Sequence, residues 1–530
     1  MKRLNQLSQA GFILPTLLSI LIALSIIIVS VANVIDLNYS NINRNNTSQK
    51  AFNISEAGIN YYLWHLSHNN TDYKDGKTTP ATPDPNLGYG PYVHNYTDNN
   101  AAVTGTYTLW IKPQGVGSTI VTVRSIGKVN GSSITRTIEA QVGAPSFASY
   151  AVASDSALWF GNTETSNGPV HSNQGVRMDG ASNADITSAN ATYVPSSQLG
   201  GNDVTSRPGV WCSSSVTTPV NCNTRSKVDW RYPVPSIDFN QVSGSLCSIK
   251  KIAFQSNAAT ASLANLANAC SQVPTNTTSA YLPQRATNGS FSTSKGYLIQ
   301  LNSNSTYDLY KVDAETDTST TGYTGALTRT LVSSAVAVPS SGVIFAEDNV
   351  WIRSNGNFTG RLTIAAGRLA STTNNANITI VDNVKYSTKN GTDAIGLIAE
   401  GDVELAPYAP PNTGNFALEV NAAIIAQSGS VLFPSNYVSG TATCTKGWVS
   451  ANQTFSFYGA IATRQTWTWT WTRSSACGSA VKDPSSNNYV SGVLNNTTQY
   501  DYNLLYAPPP SFPITSSYNI LSWREVLVTP

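Results

Sequence analysis

Three acidic residues, Glu400, Asp402 and Glu404, alternate along the run IAEGDVEL, a spacing that places them on one face of a strand. Paired carboxylates are the machinery of glycoside hydrolysis, which needs one acid and one base or nucleophile in separate roles. No Lys, Arg or His stands beside them in sequence, so a solvated or ion-binding acidic ridge is the simpler reading. The four histidines are similarly sparse. His65 and His68 share a helical face without a third ligand nearby, and His171 stands alone in GPVHSNQG and reads as a turn residue. Asp72, Asp75 and Asp84 make the loop after the first helix a weak calcium candidate, but D-x-x-D-G is not the spacing of an EF-hand. Six cysteines, Cys212, Cys222, Cys247, Cys270, Cys444 and Cys477, contain no C-x-x-C, which argues for disulfides rather than zinc. Six allow about 15 connectivities, of which pairing of sequence neighbours closes the shortest loops. No G-x-S-x-G, P-loop, dinucleotide fingerprint or H-E-x-x-H occurs, so the chain reads as a non-enzyme without a cofactor.

The most distinctive binding pattern is RQTWTWTWTR. In a strand, Trp467, Trp469 and Trp471 would point one way about 6.8 Å apart, flanked by Arg464 and Arg473. Such a ladder can stack on sugar rings or on a protein partner. The competing and favoured reading buries it beneath a loop stapled through Cys477, since large exposed aromatic faces are uncommon.

Charge is scarce, at 11% of residues with a net of +2, so there is no basic field for nucleic acid. With 530 residues, 41% of them hydrophobic, the chain can build substantial cores, and its polar surface must come from Asn, Ser and Thr. No charged residue falls between Arg3 and Asp36. The apolar run from Phe12 to Ile35 would make a helix of about 36 Å, enough to span a hydrocarbon core of about 30 Å. It is longer than a signal-peptide core and has no small-x-small site after it, so it reads as a retained anchor with Lys2 and Arg3 inside the cell and the bulk of the chain outside.

The leader MKRLNQLSQAG, ending at Gly11 and followed by Phe12, resembles that of type IV pilins and type II secretion pseudopilins. The resemblance implies cleavage after Gly11 by a prepilin peptidase, N-methylation of Phe12, and later packing of the helix among other pilins in a filament. At the fifth mature position, where most members carry a glutamate, this chain has Thr16 after Pro15. That departure resembles minor, tip-located pseudopilins, some of which also carry a large extra domain.

The expected fold is α+β, with a leader over 1–11 and a long helix over 12–68. Its second half, past an Asn-rich patch at Asn41 to Asn46, is amphipathic through Phe52, Ile59, Leu63 and Leu66, widened by Ala51, Gly58 and Tyr61. A small antiparallel sheet is expected over 69–143, with a hairpin at Asn130-Gly131. From 144 to 530 short β-type runs alternate with Asn, Gly and Ser turns, predicting a large β-rich domain. A parallel β-helix or solenoid is favoured and a β-sandwich is the alternative, with a Pro-rich strap at the end and one helical patch at Ala258 to Ala269. The functional expectation is a membrane-anchored minor pilin that takes part in assembling or capping a type IV pilus-like filament, with adhesion to a surface carbohydrate or protein as a second role. The alternatives are an anchored adhesin without a filament and a β-helical carbohydrate-active enzyme.

Overall fold

The computed structural model describes residues 13–68, 72–77, 82–113, 119–161, 164–213, 229–285, 295–316, 322–371, 374–410, 414–434, 444–505, 507–515 and 518–526. The chain divides into two compact units.

The first unit comprises residues 1–112, 121–142 and 519–530. Helix α1, Ile13–His68, is unbroken. It runs straight through Asn41 to Asn46, because extending a formed helix needs no new nucleus even at residues of poor propensity. Four strands follow: β1 (Tyr89–Thr97), β2 (Val103–Pro113), β3 (Ile120–Val129) and β4 (Thr135–Gly143). They form a sheet in chain order, β1 antiparallel to β2. The buried stripe of α1 is Ala51, Ile54, Ser55, Gly58, Ile59, Tyr62 and Leu66. It is centred slightly away from the expected face, for Phe52, Tyr61 and Leu63 are only half-buried.

Close approach explains the shift. A Cβ on Gly127 would meet the Ala51 carbonyl oxygen at 2.1 Å, and one on Gly58 would meet Ser125 Oγ at 2.3 Å, so backbone lies against backbone. Ser55 Oγ donates to the Ser125 carbonyl at 2.7 Å and accepts the Ile138 amide at 3.1 Å, tying the helix to β3 and β4. The expected boundary at 144–530 is corrected at its end: strand Asn519–Glu525 joins this sheet beside β4. Two arginine–carboxylate contacts, Arg136 with Glu525 and Arg524 with Glu139, hold it there.

The second unit comprises 113–120 and 143–518. From Val343 onward successive strands alternate between two sheets. Val343–Ala346, Arg361–Ala366, Ala394–Ala399, Phe416–Ala426 and Gln453–Thr463 lie in one; Asn349–Asn355, Ile378–Ile380, Val403–Leu405, Val431–Leu432 and Trp467–Thr468 lie in the other. Pairing along both series is parallel, unlike the antiparallel sheets of a β-sandwich. Gln453–Thr463 is then followed in the sheet by strands from much earlier in the chain, Val152–Ser154, Val170–Ser172, Ile186–Ser188 and Trp230–Arg231, all parallel.

Register aligns apolar residues across the whole sheet. Ile344, Ile364, Leu397, Ile424, Ile461, Val152, Val170, Ile186 and Trp230 stand opposite one another in turn. In Phe416–Ala426, Ala422, Ile424 and Ala426 face one hydrophobic cluster, while Ala423 and Ile425 face another on the opposite side. Both faces are therefore covered, which is why these strands read as continuous apolar runs. The second cover is α2, Gln241–Gln255, an α-helix outside the expected helical patch, whose Val242, Leu246, Ile249 and Ala253 belong to that cluster. The patch itself forms short 3₁₀ turns, Ala261–Asn265 and Ala269–Ser271. Cys247 on α2 is bonded to Cys270, and Cys444 to Cys477. Cys222, the expected partner of Cys212, lies outside the described residues. The Pro-rich strap follows the first sheet, where Arg361 donates to the carbonyls of Ala507 and Pro508 and Thr363 to that of Pro510.

Candidate functional site

Every side chain of α1 from Ile13 to Asn46 is exposed, and this stretch is long and apolar enough to cross a membrane. Between Ile13 and Ala32 the hydroxyls are turned back into the helix. Thr16 Oγ1 donates to the Ile13 carbonyl at 2.9 Å, Ser19 to Pro15 at 2.7 Å, Ser25 to Ile22 at 2.8 Å and Ser30 to Ile26 at 2.7 Å. A polar group facing lipid without a partner costs several kcal/mol, so back-bonding leaves a surface with no unmet donor there. Pro15 stands in the first turn, where its missing amide removes no helical bond. The expected cleavage residues Gly11 and Phe12 lie outside the described residues.

At the other end of α1 the loop carboxylates bond to side chains of the helix and to amides of their own loop. Asp72 Oδ2 meets His65 Nε2 at 2.9 Å and accepts the Gly76 amide at 2.8 Å, while Oδ1 accepts the Lys74 amide at 2.8 Å. Burial raises its pKa, but those amides and His65 outweigh burial and hold it below the usual carboxylate range. Asp75 meets His94 Nε2 at 2.9 Å and the Tyr61 hydroxyl at 3.1 Å. Burial and Asp75 push Tyr61 up to about 12. Asp84 caps a turn through the amides of Asn86 and Leu87, and His68 Nδ1 lies 2.8 Å from the Trp64 carbonyl. No group of three or more metal-ligating residues forms among the described residues.

The acidic trio does not share a face. Only Val403–Leu405 is strand, and Glu400 and Asp402 occupy the turn before it. Glu400 Oε2 accepts the Arg368 amide at 2.6 Å; Asp402 Oδ1 accepts the Ser430 amide at 2.6 Å. Cations from distant sequence, Arg368 and Lys250, do act on Glu400, a proximity that the neighbouring sequence could not reveal. Glu404 differs. Burial, then Asp402 and Glu315, push it up to about 7. Glu315 itself accepts from Trp351 Nε1 at 2.8 Å and from the Tyr408 hydroxyl at 2.5 Å. His171 sits in strand Val170–Ser172 rather than in a turn, buried between Thr187 and Asn173, and burial lowers its pKa.

The tryptophans form no exposed ladder. Thr468 Oγ1 donates to the Thr470 carbonyl at 2.7 Å and accepts the Thr470 amide at 3.2 Å, bending the chain at Trp469. Trp467 therefore ends the register Tyr297, Val350, Ile378, Val403, Val431 of the second sheet. Trp469 is 2% exposed against Phe455 and Phe457. Trp471 belongs to another sheet and donates to the Phe433 carbonyl at 2.8 Å. Of the flanking cations, Arg464 pairs with Asp155 at 3.0 Å and Arg473 Nη2 lies 3.4 Å from Ser475 Oγ. An aromatic–cation stack, open to solvent chiefly at Trp159, does occur elsewhere. Trp159, Arg177 and Trp211 are in register on three parallel strands, with the guanidinium 4.5 Å and 5.1 Å from the two rings and Trp159 41% exposed. Residues so scattered in sequence give no local signal of this stack.

No protein-family model matches the chain, and no curated protein matches it. Among solved structures, the competence-associated pilin ComZ from Thermus thermophilus is similar with a TM-score of 0.28 and 11% identity, over 91% of this chain and 98% of that one. Similarity at that level assigns neither a fold nor a role to this chain.

Proposed function

We propose that the protein is a minor, tip-type pilin or pseudopilin: anchored by α1, cut after Gly11, N-methylated on Phe12 and packed through its apolar half among other pilins. The observation that carries this reading is the division of α1. From Ile13 to Ala32 it offers only apolar side chains and hydroxyls satisfied internally, and from Ala51 to Leu66 it buries a single stripe on a small sheet of its own chain. An anchor alone needs the first half. A subunit that delivers a folded domain at a fixed distance from a filament axis needs both. Thr16 in place of the usual acid suits a subunit with no neighbour whose amino terminus must be neutralised, because a buried carboxylate without a partner is costly.

In this reading the bulk of the chain is extracytoplasmic and then at the filament surface, and a prepilin peptidase is its processing partner. The alternating parallel strands of the second unit wind as a β-helix, a rigid displayed body without catalytic function. The face suited to adhesion is the exposed ring of Trp159, backed by Arg177, which Asp179 holds at 2.7 Å, and by buried Trp211, since a flat aromatic face binds sugar rings or protein. Mass spectrometry of the mature amino terminus from sheared filaments tests the proposal. N-methyl-Phe12 supports it and an intact Met1 overturns it. One observation favours the carbohydrate-active alternative, the raised pKa of Glu404 beside two other carboxyls. Hydrolysis of a polysaccharide that Glu404→Gln abolishes would establish that reading instead.

A further inference from the structure

At the end of the first sheet Lys250 of α2 and Glu347, just after strand Val343–Ala346, are in contact inside the second unit, with side chains 0% and 2% exposed. Such burial is unusual for either residue type. Aromatic rings enclose the amine: Nζ lies 5.8 Å from the Phe254 ring centroid and 5.7 Å from that of Phe345, and the Tyr281 ring is tilted against Phe254 and parallel to Phe345, with its hydroxyl beside Glu347. Nζ also donates to a neutral acceptor, the Cys270 carbonyl, at 2.8 Å. A second carboxylate, Glu400, acts on both groups electrostatically.

We propose that Lys250 and Glu347 are a covalent modification site, the side-chain amine and carboxyl condensing to an intramolecular isopeptide bond. The Lys250 Nζ lone pair attacks Glu347 Cδ, a C–N bond forms, and the Cδ–O bond breaks. The hydroxyl leaves as water with one proton from Nζ, so neither oxidant nor co-substrate is consumed. Three features favour the step. Burial raises Glu347 to about 7 and lowers Lys250, which brings the neutral amine and neutral acid, the reactive forms, within reach of each other near neutral pH. Fixed contact between the partners supplies a large effective molarity. The dry, aromatic enclosure disfavours the charged pair, whose desolvation cost can exceed its Coulombic gain, relative to the neutral amide.

The bond would tie α2 to the sheet it covers, on the same helix that carries the Cys247–Cys270 disulfide, and unlike that disulfide it would resist reduction. The purified full-length chain, reduced and digested with trypsin, provides the test. The expected result is a branched peptide joining the Lys250 and Glu347 segments, one water lighter than their sum, with no cleavage after Lys250. The reduced intact chain should likewise be one water lighter, relative to its sequence mass, than Lys250→Met and Glu347→Ala chains processed at the same terminus. Linear peptides of full mass from the wild-type protein, with cleavage after Lys250, would overturn the proposal and leave an ordinary buried ion pair. Because the wild-type digest decides by itself, a variant that fails to fold does not obscure the answer.

Discussion

From Ile13 to Asn46 every side chain of α1 meets the surroundings, whereas from Ala51 to Leu66 a stripe seven residues strong is buried on β2, β3 and β4. The backbone is the same α-helix throughout. What changes is the distribution of polarity: all-round apolar from Ile13 to Ala32, apart from hydroxyls bonded back along the helix, and one-sided from Ala51 to Leu66. All-round apolarity suits a solvent of lipid or of other apolar helices, while one-sidedness suits a sheet on one side and water on the other. The division shows that hydrophobic content does not predict burial inside the chain, for the more apolar half is the exposed one.

That contrast can be broken by substitution, and the largest effects belong to matched positions. Ile54→Ala removes a side chain only 2% exposed and should destabilise the first unit by about 2–5 kcal/mol in thermal or denaturant unfolding. Ile26→Ala, at a position 61% exposed, should leave the same transition within about 0.5 kcal/mol. Equal losses at both would erase the distinction. Conversely, Ile26→Arg should spare the folded unit but disfavour membrane insertion by about 2.5–3.5 kcal/mol, read as the share of chain recovered in the membrane fraction. Ser55→Ala should cost about 1–3 kcal/mol, since it leaves the buried Ile138 amide without its acceptor, whereas Ser25→Ala, whose hydroxyl only bonds back along the helix, should change unfolding little.

The smallest effect extends the comparison to the second unit, where burial acts on charge rather than on apolar surface. Glu404 has a raised pKa in the fold, so its contribution to stability is fully present below about 4.5 and is lost as pH rises through about 7. Glu404→Gln should flatten the fall in melting temperature between those pH values. An unchanged slope would show that this carboxyl is not the group responsible.

The long helix and the meander were legible because each rests on local signals, helical apolar spacing in α1 and the Asn130-Gly131 turn between alternating runs. The Cys247–Cys270 and Cys444–Cys477 pairs were legible as short loops. The ladder of the first sheet was not, because the intervals from Ile344 to Ile364, Leu397, Ile424 and Ile461 differ at every step; the strands repeat but the turns between them vary in length. Nor does anything near Val152 announce that it will sit beside Ile461. Helix α2 could have been read from Val242, Leu246, Ile249 and Ala253, which recur at helical intervals, although Gly244 and Ser residues among them dilute the pattern. The tryptophan run misled for a related reason: its alternation is regular, but a threonine bend at its centre hands the two ends to different sheets.

Strand Asn519–Glu525 gives the chain an unusual order of construction. Residues 143 to 518 are threaded between the fourth strand of the small sheet and its fifth, so the first four strands must wait for one made only after the second unit. A nascent polypeptide stalled anywhere in the second unit would still carry β4 with an open edge, available to the wrong partner. Completion of that sheet thus reports that the whole second unit has already been made.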